Sequence, residues 1–286
     1  MNTEISKPGT LYIVATPIGN LDDITVRAMK ILDQVDLIAA EDTRHSAKLL
    51  NALGISTPLM SLHEHNEATQ ALVIKEKISD GQQVALISDA GTPLISDPGF
   101  KLVDLVNECN LPIVPIPGPS SVITALCASG ISTAAFYFAG FLPAKPSQRR
   151  QALMKLKDVT HTLVIFESPH RIVASLKDMV SIFGEARKAG FCRELTKQFE
   201  TIIRGPLIEL QRAVETNPDH SRGEIVLVIS GADREQQRLQ NTDYHELLTG
   251  MLAYMPTKSA ALLLAKHSGL SRRYFYDMAI KFKSRQ

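Results

Sequence analysis

The stretch VALISDAGTPLISDPG, Val84 to Gly99, runs four apolar residues straight into a segment holding two glycines, two prolines and two aspartates. A short, wholly apolar run bounded by turn formers is the pattern of a strand buried on both faces, as in a parallel sheet. Side chains are small in the segment that follows. Beyond the carboxyl end of such a strand, small residues let main-chain N–H and C=O groups approach a ligand directly.

Working outward from it, comparable runs occupy Leu11–Ala15, Asp36–Ala40 and Pro112–Ile116, and helical periodicity fills Thr25–Gln34, Ser46–Leu53, Ala68–Ser79 and Gly99–Cys109. This alternation predicts βαβ units on a mostly parallel sheet. After Pro117-Gly118-Pro119 the pattern restarts with a helix over 120–129 and strands at Phe136–Phe141, Thr162–Phe166, Lys188–Arg193 and Glu224–Ile229. Its gaps are shorter and Thr201–Pro206 is hairpin-like, so this second sheet is expected to be mixed. The fold class is therefore α/β, with an N-terminal α/β domain over 1–117 and a second over 118–231. Residues 232–286 form a polar, Gln-rich linker (ADREQQRLQNTD) and a basic helical segment with a helix-turn-helix outline.

Composition narrows the function classes. Lys and Arg total 31 against 30 Asp and Glu, so no overall field marks a nucleic-acid or membrane partner, and any basic footprint must be local. Cys109, Cys127 and Cys192 are an odd, widely spaced set with no CxxC pattern, which argues against a disulfide framework and a metal site and for a cytoplasmic location. The N-terminal MNTEISKPGT has no export-signal pattern, and no uncharged apolar run reaches membrane-spanning length.

Local basic clusters do occur. Lys145, Arg149, Arg150, Lys155 and Lys157 follow the strand at 136–141, and Arg187, Lys188 and Arg193 come later. From Lys258 onward, Lys258, Lys266, Arg272, Arg273, Lys281, Lys283 and Arg285 face only Asp277, with Tyr274, Phe275 and Tyr276 available to stack on bases. Solvated helix faces explain such runs equally well. Four turn-rich loops, ATPIGN, AEDTRHS, SDAGTP and PGPSS, each follow a strand of the first sheet. None contains GxGxxG or GxxxxGK[ST], so a dinucleotide or P-loop cradle is poorly supported.

Taken together, LYIVATPIGNLDDITVRA, AEDTR, LHEHNE, SDAGTPLISDPG, PGPSS and FESPHR resemble the tetrapyrrole methylase superfamily. More narrowly, they are similar to its branch of small-subunit ribosomal RNA methyltransferases, which act on a cytidine ribose 2′-hydroxyl of 16S rRNA. The superfamily's Gly-rich first loop is replaced here by Thr16-Pro17-Ile18-Gly19-Asn20, which argues against a porphyrin-type substrate. The resemblance implies S-adenosylmethionine bound in a cleft between two α/β domains, a homodimer, and small-subunit rRNA, free or in the assembled subunit, as partner. It places Pro17, Ser88, Asp89, Ala90, Gly91, Ile95, Ser120, Ser121 and Phe166 at the cofactor. Ser120 and Ser121 read equally as helix N-caps and Phe166 as core.

Transfer of a methyl group from a sulfonium is an in-line displacement, so alignment dominates and no metal is required. A ribose hydroxyl becomes a competent nucleophile when a side chain accepts its proton. AEDTR, HEHN and FESPHR offer Glu41, Asp42, His63 and Glu167, of which Asp42 and Glu167 are favoured. Arg44, His65, Asn66, His170 and Arg171, with Arg149, Arg150, Arg272 and Arg273, are the candidate RNA contacts, the arginines also serving to orient carboxylates. Structural ion pairing at a domain seam is the plainer reading of each Arg–carboxylate pair. Two other function classes stay open: a small-molecule methyltransferase for a tetrapyrrole-like substrate, and a non-catalytic RNA-binding module.

Overall fold

The computed structural model describes residues 7–233 and 244–283. Most of the polar linker and Arg285 lie outside the described residues. The first sheet contains β1 (Leu11–Val14), β2 (Leu37–Ala40), β3 (Leu59–Ser61), β4 (Val84–Ile87) and β5 (Ile113–Ile116), in the order β3-β2-β4-β1-β5. Every pairing is parallel. β2 and β4 are buried along their whole length, as central strands covered on both faces must be. Helices α1 (Val26–Gln34), α2 (Thr43–Ala52), α3 (Glu67–Ser79) and α4 (Phe100–Glu108) connect them. One face packs Ile38, Ala85 and Ile87 on Leu32 and Leu50, and the other packs Leu11, Val84 and Leu86 on Ile74, Leu102 and Val106.

Local chemistry sets the helix starts. Thr25 caps α1 by accepting from the Ala28 N–H at 3.1 Å, and Asp42 caps α2 by accepting from the Arg44 N–H at 2.8 Å. Helix α5 (Ser121–Ser129) has Ser120 as its N-cap and Gly130, at φ 72°, in the left-handed position beyond its end. The expected strands and first-domain helices are thus present within a few residues. β3 had no expectation, because three half-buried edge residues carry no apolar run.

The second sheet has the order β6-β7-β10-β8-β9, with β6 (Phe136–Phe141), β7 (Thr162–Glu167), β8 (Lys188–Arg193), β9 (Thr201–Pro206) and β10 (Ile225–Ile229). β6 and β7 are parallel and the remaining pairings antiparallel, so the sheet is mixed as expected. Helices α6 (Pro146–Leu156), α7 (Ile172–Phe183) and α8 (Leu207–Thr216) accompany it, and Leu153, Leu176, Met179 and Leu210 join its larger core. On the opposite face Val164, Cys192, Val226 and Val228 pack on Val122, Ala125 and Leu126 of α5 and on Ile18 from the loop after β1. Ile18 therefore ties the first sheet's loops to the second sheet.

Helices α9 (Tyr244–Leu252), α10 (Thr257–Ser268) and α11 (Arg272–Lys283) share a separate small core of Leu248, Ala260, Ala261, Leu264 and Phe275. Gly269, left-handed at φ 74°, ends α10, and the Ser271 hydroxyl accepts from the Tyr274 N–H to start α11. This is a helix-turn-helix outline. Phe275 is fully buried against Tyr244, so it fills the core and cannot stack on a base.

Candidate functional site

Because the first sheet is parallel, all its loops leave one edge. β2, β4, β1 and β5 are contiguous, so the loops after them form an uninterrupted row, flanked by the loop after β3. The segment Ser88–Gly99 is joined to every other loop in that row. Thr16 and Gly91 exchange two backbone hydrogen bonds, at 2.9 and 3.0 Å. The Asp42 N–H donates to Asp89 Oδ1 at 3.1 Å, and the Thr92 hydroxyl donates to the Pro119 carbonyl at 3.0 Å. Glu67, leading α3, accepts from the Gly99 and Lys101 N–H groups at 2.9 and 2.8 Å.

These ties hold a strained loop. Leu94 and Ser96 are left-handed at φ 74° and 72°, which costs a non-glycine residue about 1–2 kcal/mol. Gly99, at φ 124°, abuts the Leu86 side chain so closely that a Cβ would stand 2.7 Å from it. Any side chain there would be strained by that φ and would displace Leu86.

Facing the loop is a cleft of about 440 Å³ whose walls come from both sheets. Asp89, Ala90, Gly91, Ile95, Ser120, Ser121 and Phe166, which the resemblance places at the cofactor, line it. Ala90 and Gly91 have no polar side chain, so peptide groups are the only polar atoms they offer to the cleft. Ser88 is buried beneath, and Pro17 lines an adjoining compartment. Across the cleft stand Phe141, Phe166, Ile225 and Val226, with Phe138 and Phe141 edge-on to Phe166 at 4.9 and 5.4 Å. The strand at Glu224–Ile229 is expected from sequence, but not that its start lines the cleft, because nothing in its pattern reveals that it runs antiparallel to β7.

The acidic groups divide into two kinds. Glu167 is buried, and its carboxylate accepts from the Ser168 N–H, Arg171 Nε and the Ser175 hydroxyl, with Arg171 also 2.9 Å away as an ion pair. Asp42 lies outside the cleft lining, and the Arg44 guanidinium lowers its pKa to about 2. Both carboxylates are thus engaged by arginine. Glu41 and Asp97, by contrast, line the cleft with pKa values raised to about 6. Burial is the first cause for both; the Asp97, Asp89 and Asp42 charges add to it for Glu41, and Asp89 for Asp97, against a lowering Ser88 hydrogen bond. Sequence points to Glu41 through AEDTR, whereas Asp97 reads there only as part of a turn-rich segment.

The expected RNA contacts are dispersed. Arg149 is buried, with Nε 2.7 Å from Asp178 on α7, while Arg150 beside it is half exposed. Arg193 donates to the Arg222 and Phe199 carbonyls, and Arg187 to those of Ser230 and Lys157. Asn66 is engaged by the His63 N–H and the Ser61 carbonyl. His65, His170, Arg44, Arg272 and Arg273 are exposed. Among the described residues no group of three His, Cys, Asp or Glu is placed to hold a metal, and no helix is long and apolar enough to cross a membrane.

A family model for tetrapyrrole (corrin/porphyrin) methylases matches residues 10–211. Two relatives named ribosomal RNA small subunit methyltransferase I, from Pasteurella multocida and Escherichia coli O157:H7, are each 45% identical over 273 residues. These matches cover 96% of this chain and 97% and 95% of those proteins. Among solved structures, uroporphyrin-III-C-methyltransferase from Thermus thermophilus aligns with TM-score 0.56 at 18% identity, over 78% of this chain and 94% of that one. Cobalt precorrin-4 methyltransferase gives 0.58 at 18% identity, over 77% and 94%. At that identity the likeness is one of fold.

Proposed function

The chain belongs to the tetrapyrrole methylase family, and we propose that it transfers a methyl group from S-adenosylmethionine to a cytidine ribose 2′-hydroxyl of small-subunit ribosomal RNA. One observation carries the RNA substrate. The relatives named for small-subunit rRNA match 96% of the chain, leaving too few residues outside the match to omit the helices at 244–283. The two uroporphyrin- and precorrin-methylating enzymes align with only 77–78% of it. A small-molecule substrate gives no reason for that basic segment.

The residues present fit the donor. Phe141, Phe166, Ile225 and Val226 offer an apolar wall for an adenine ring, and the peptide groups of Ala90 and Gly91 offer hydrogen bonds at close approach. The N-terminus of α5, with Ser120 and Ser121, suits a carboxylate. Glu41, Asp89 and Asp97 form an acidic surround for a positively charged centre. Bound there, S-adenosylmethionine supplies an electrophilic methyl on a sulfonium. The walls would hold the ribose oxygen in line with it, an alignment worth about 7–11 kcal/mol in favourable cases. The donor would give up its methyl and leave as a neutral thioether, and the task left to this chain is to accept the hydroxyl proton on a carboxylate.

We assign that carboxylate to Glu41. A base with a pKa near 6 is stronger than Asp42 at about 2, and Glu167 already has both oxygens hydrogen-bonded. Arg171 acts through Glu167, and Arg150, Arg272 and Arg273 track phosphates. The reading includes a cytoplasmic homodimer, with domains at 1–117, 118–231 and 232–286. The test is to map 2′-O-methylation in small-subunit rRNA from cells lacking the protein. One cytidine should lose its methyl and regain it on complementation; an unchanged map defeats the proposal.

A further inference from the structure

A second compartment of about 350 Å³ opens beside the cleft and shares Ile18, Asp89, Ala90 and Glu224 with it. One wall is α2, which presents His45, Lys48, Leu49 and Ala52. These are positions i, i+3, i+4 and i+7 of a single helix face. The polar pair sits toward the helix start and the apolar pair toward its end. Opposite is the loop Pro17–Leu21, whose Leu21 is 48% exposed. Lys197 closes one end, its stem lying so near Gly19 that a Cβ there would stand 2.2 Å from Cγ.

Charge separates the two spaces. Glu41 and Asp97 line only the first, where they repel an anion, whereas Asp89 lies on the wall common to both. In the second, Lys197 is neutralised by Glu194 and Glu224 at 3.0 and 3.2 Å. Lys48 and His45 have no carboxylate within ion-pair distance among the described residues. A positively charged donor and a phosphate-bearing acceptor are thereby sorted into neighbouring spaces. They meet at the shared wall, Asp89–Ala90.

We infer that the second compartment is the subsite for one nucleotide of the acceptor RNA, with Lys48 and His45 on its phosphate and Leu21, Leu49 and Ala52 against its base. The inference rests on the methyltransferase reading and adds where the RNA strand enters. Both polar residues are exposed, so replacing them leaves the core intact.

The test compares the full-length protein with Lys48→Glu, Lys48→Arg and His45→Ala. A short labelled single-stranded RNA reports binding by anisotropy over a salt series, and calorimetry reports S-adenosylmethionine. Lys48→Glu should weaken RNA binding about tenfold and flatten the slope of log affinity against log salt by about 0.7. Lys48→Arg should restore both, His45→Ala should weaken binding less, and all three should bind the donor as the unaltered protein does. Unchanged RNA affinity and slope in Lys48→Glu overturn the inference, and so does weakened donor binding, which assigns the space to the donor. Failure of the methyltransferase reading shows separately, as no methyl transfer from the unaltered protein to small-subunit rRNA. The binding comparison then still decides the subsite.

Discussion

Glu41 lies under the charge of Asp97 and Asp97 under that of Asp89 in a partly desolvated cleft, and their raised pKa values have two consequences. If Glu41 accepts the hydroxyl proton, it must be ionised, so turnover should rise with pH through about 6 and level off above it. Glu41→Gln should lower kcat by about 10²–10⁴-fold and weaken the donor far less, since Asp89 and Asp97 remain, read from single-turnover rates and calorimetry. Asp97→Asn removes the largest charge acting on Glu41, so the acid limb should move to lower pH. Both groups have folded-state pKa values above their unfolded ones, so ionising them opposes folding and stability falls as pH rises from about 4 to 6. Asp97→Asn should therefore stabilise the protein at pH 7, by about 1 kcal/mol after solvent screening, in chemical denaturation. The sequence offers Glu41 as one candidate among several, but not its pairing with Asp97. Aspartates in turn-rich segments are common, and only folding reveals that Asp97 returns toward Glu41 from 56 positions further along the chain.

Among the elements, α4 has a start that its own sequence cannot supply. Gly99 is its N-cap and has no side chain, so Glu67 of α3 provides the acceptor from outside. That carboxylate fixes the closing end of the Ser88–Gly99 loop. Glu67→Ala should cost about 2–3 kcal/mol and weaken S-adenosylmethionine binding, whereas Glu67→Gln, which keeps an oxygen acceptor, should recover most of both in melting and calorimetric measurements. Gly99→Ala should be more damaging, since both φ and the Leu86 contact oppose a methyl group. The strands here were readable because central parallel strands are continuous apolar runs. Their common rim followed from the βαβ order. The ties among the loops were not readable, since a glutamate in LHEHNE carries no sign that its partner is a backbone N–H 32 positions away.

Across the molecule, the cleft proposed for the donor draws on both sheets, while α9–α11 have their own core around Phe275. Loss of the segment from Tyr244 onward should accordingly spare donor binding and abolish rRNA modification, measured by calorimetry and by methyl incorporation into small-subunit rRNA. The separate core was foreshadowed by the polar linker and the restart of helical periodicity. The inward turn of Arg149 was not, because adjacent arginines on a helix look alike until α7 places Asp178 against one of them. The central claim is that a row of loops tied to Ser88–Gly99 holds the methyl donor largely through its peptide groups. Hydrogen exchange measured peptide by peptide, with and without saturating S-adenosylmethionine, tests it most directly. Exchange should slow together in the segments around 16–20, 88–99, 119–123 and 223–226, and stay unchanged in 244–281. Protection absent from 88–99, or confined to residues away from that rim, would contradict it.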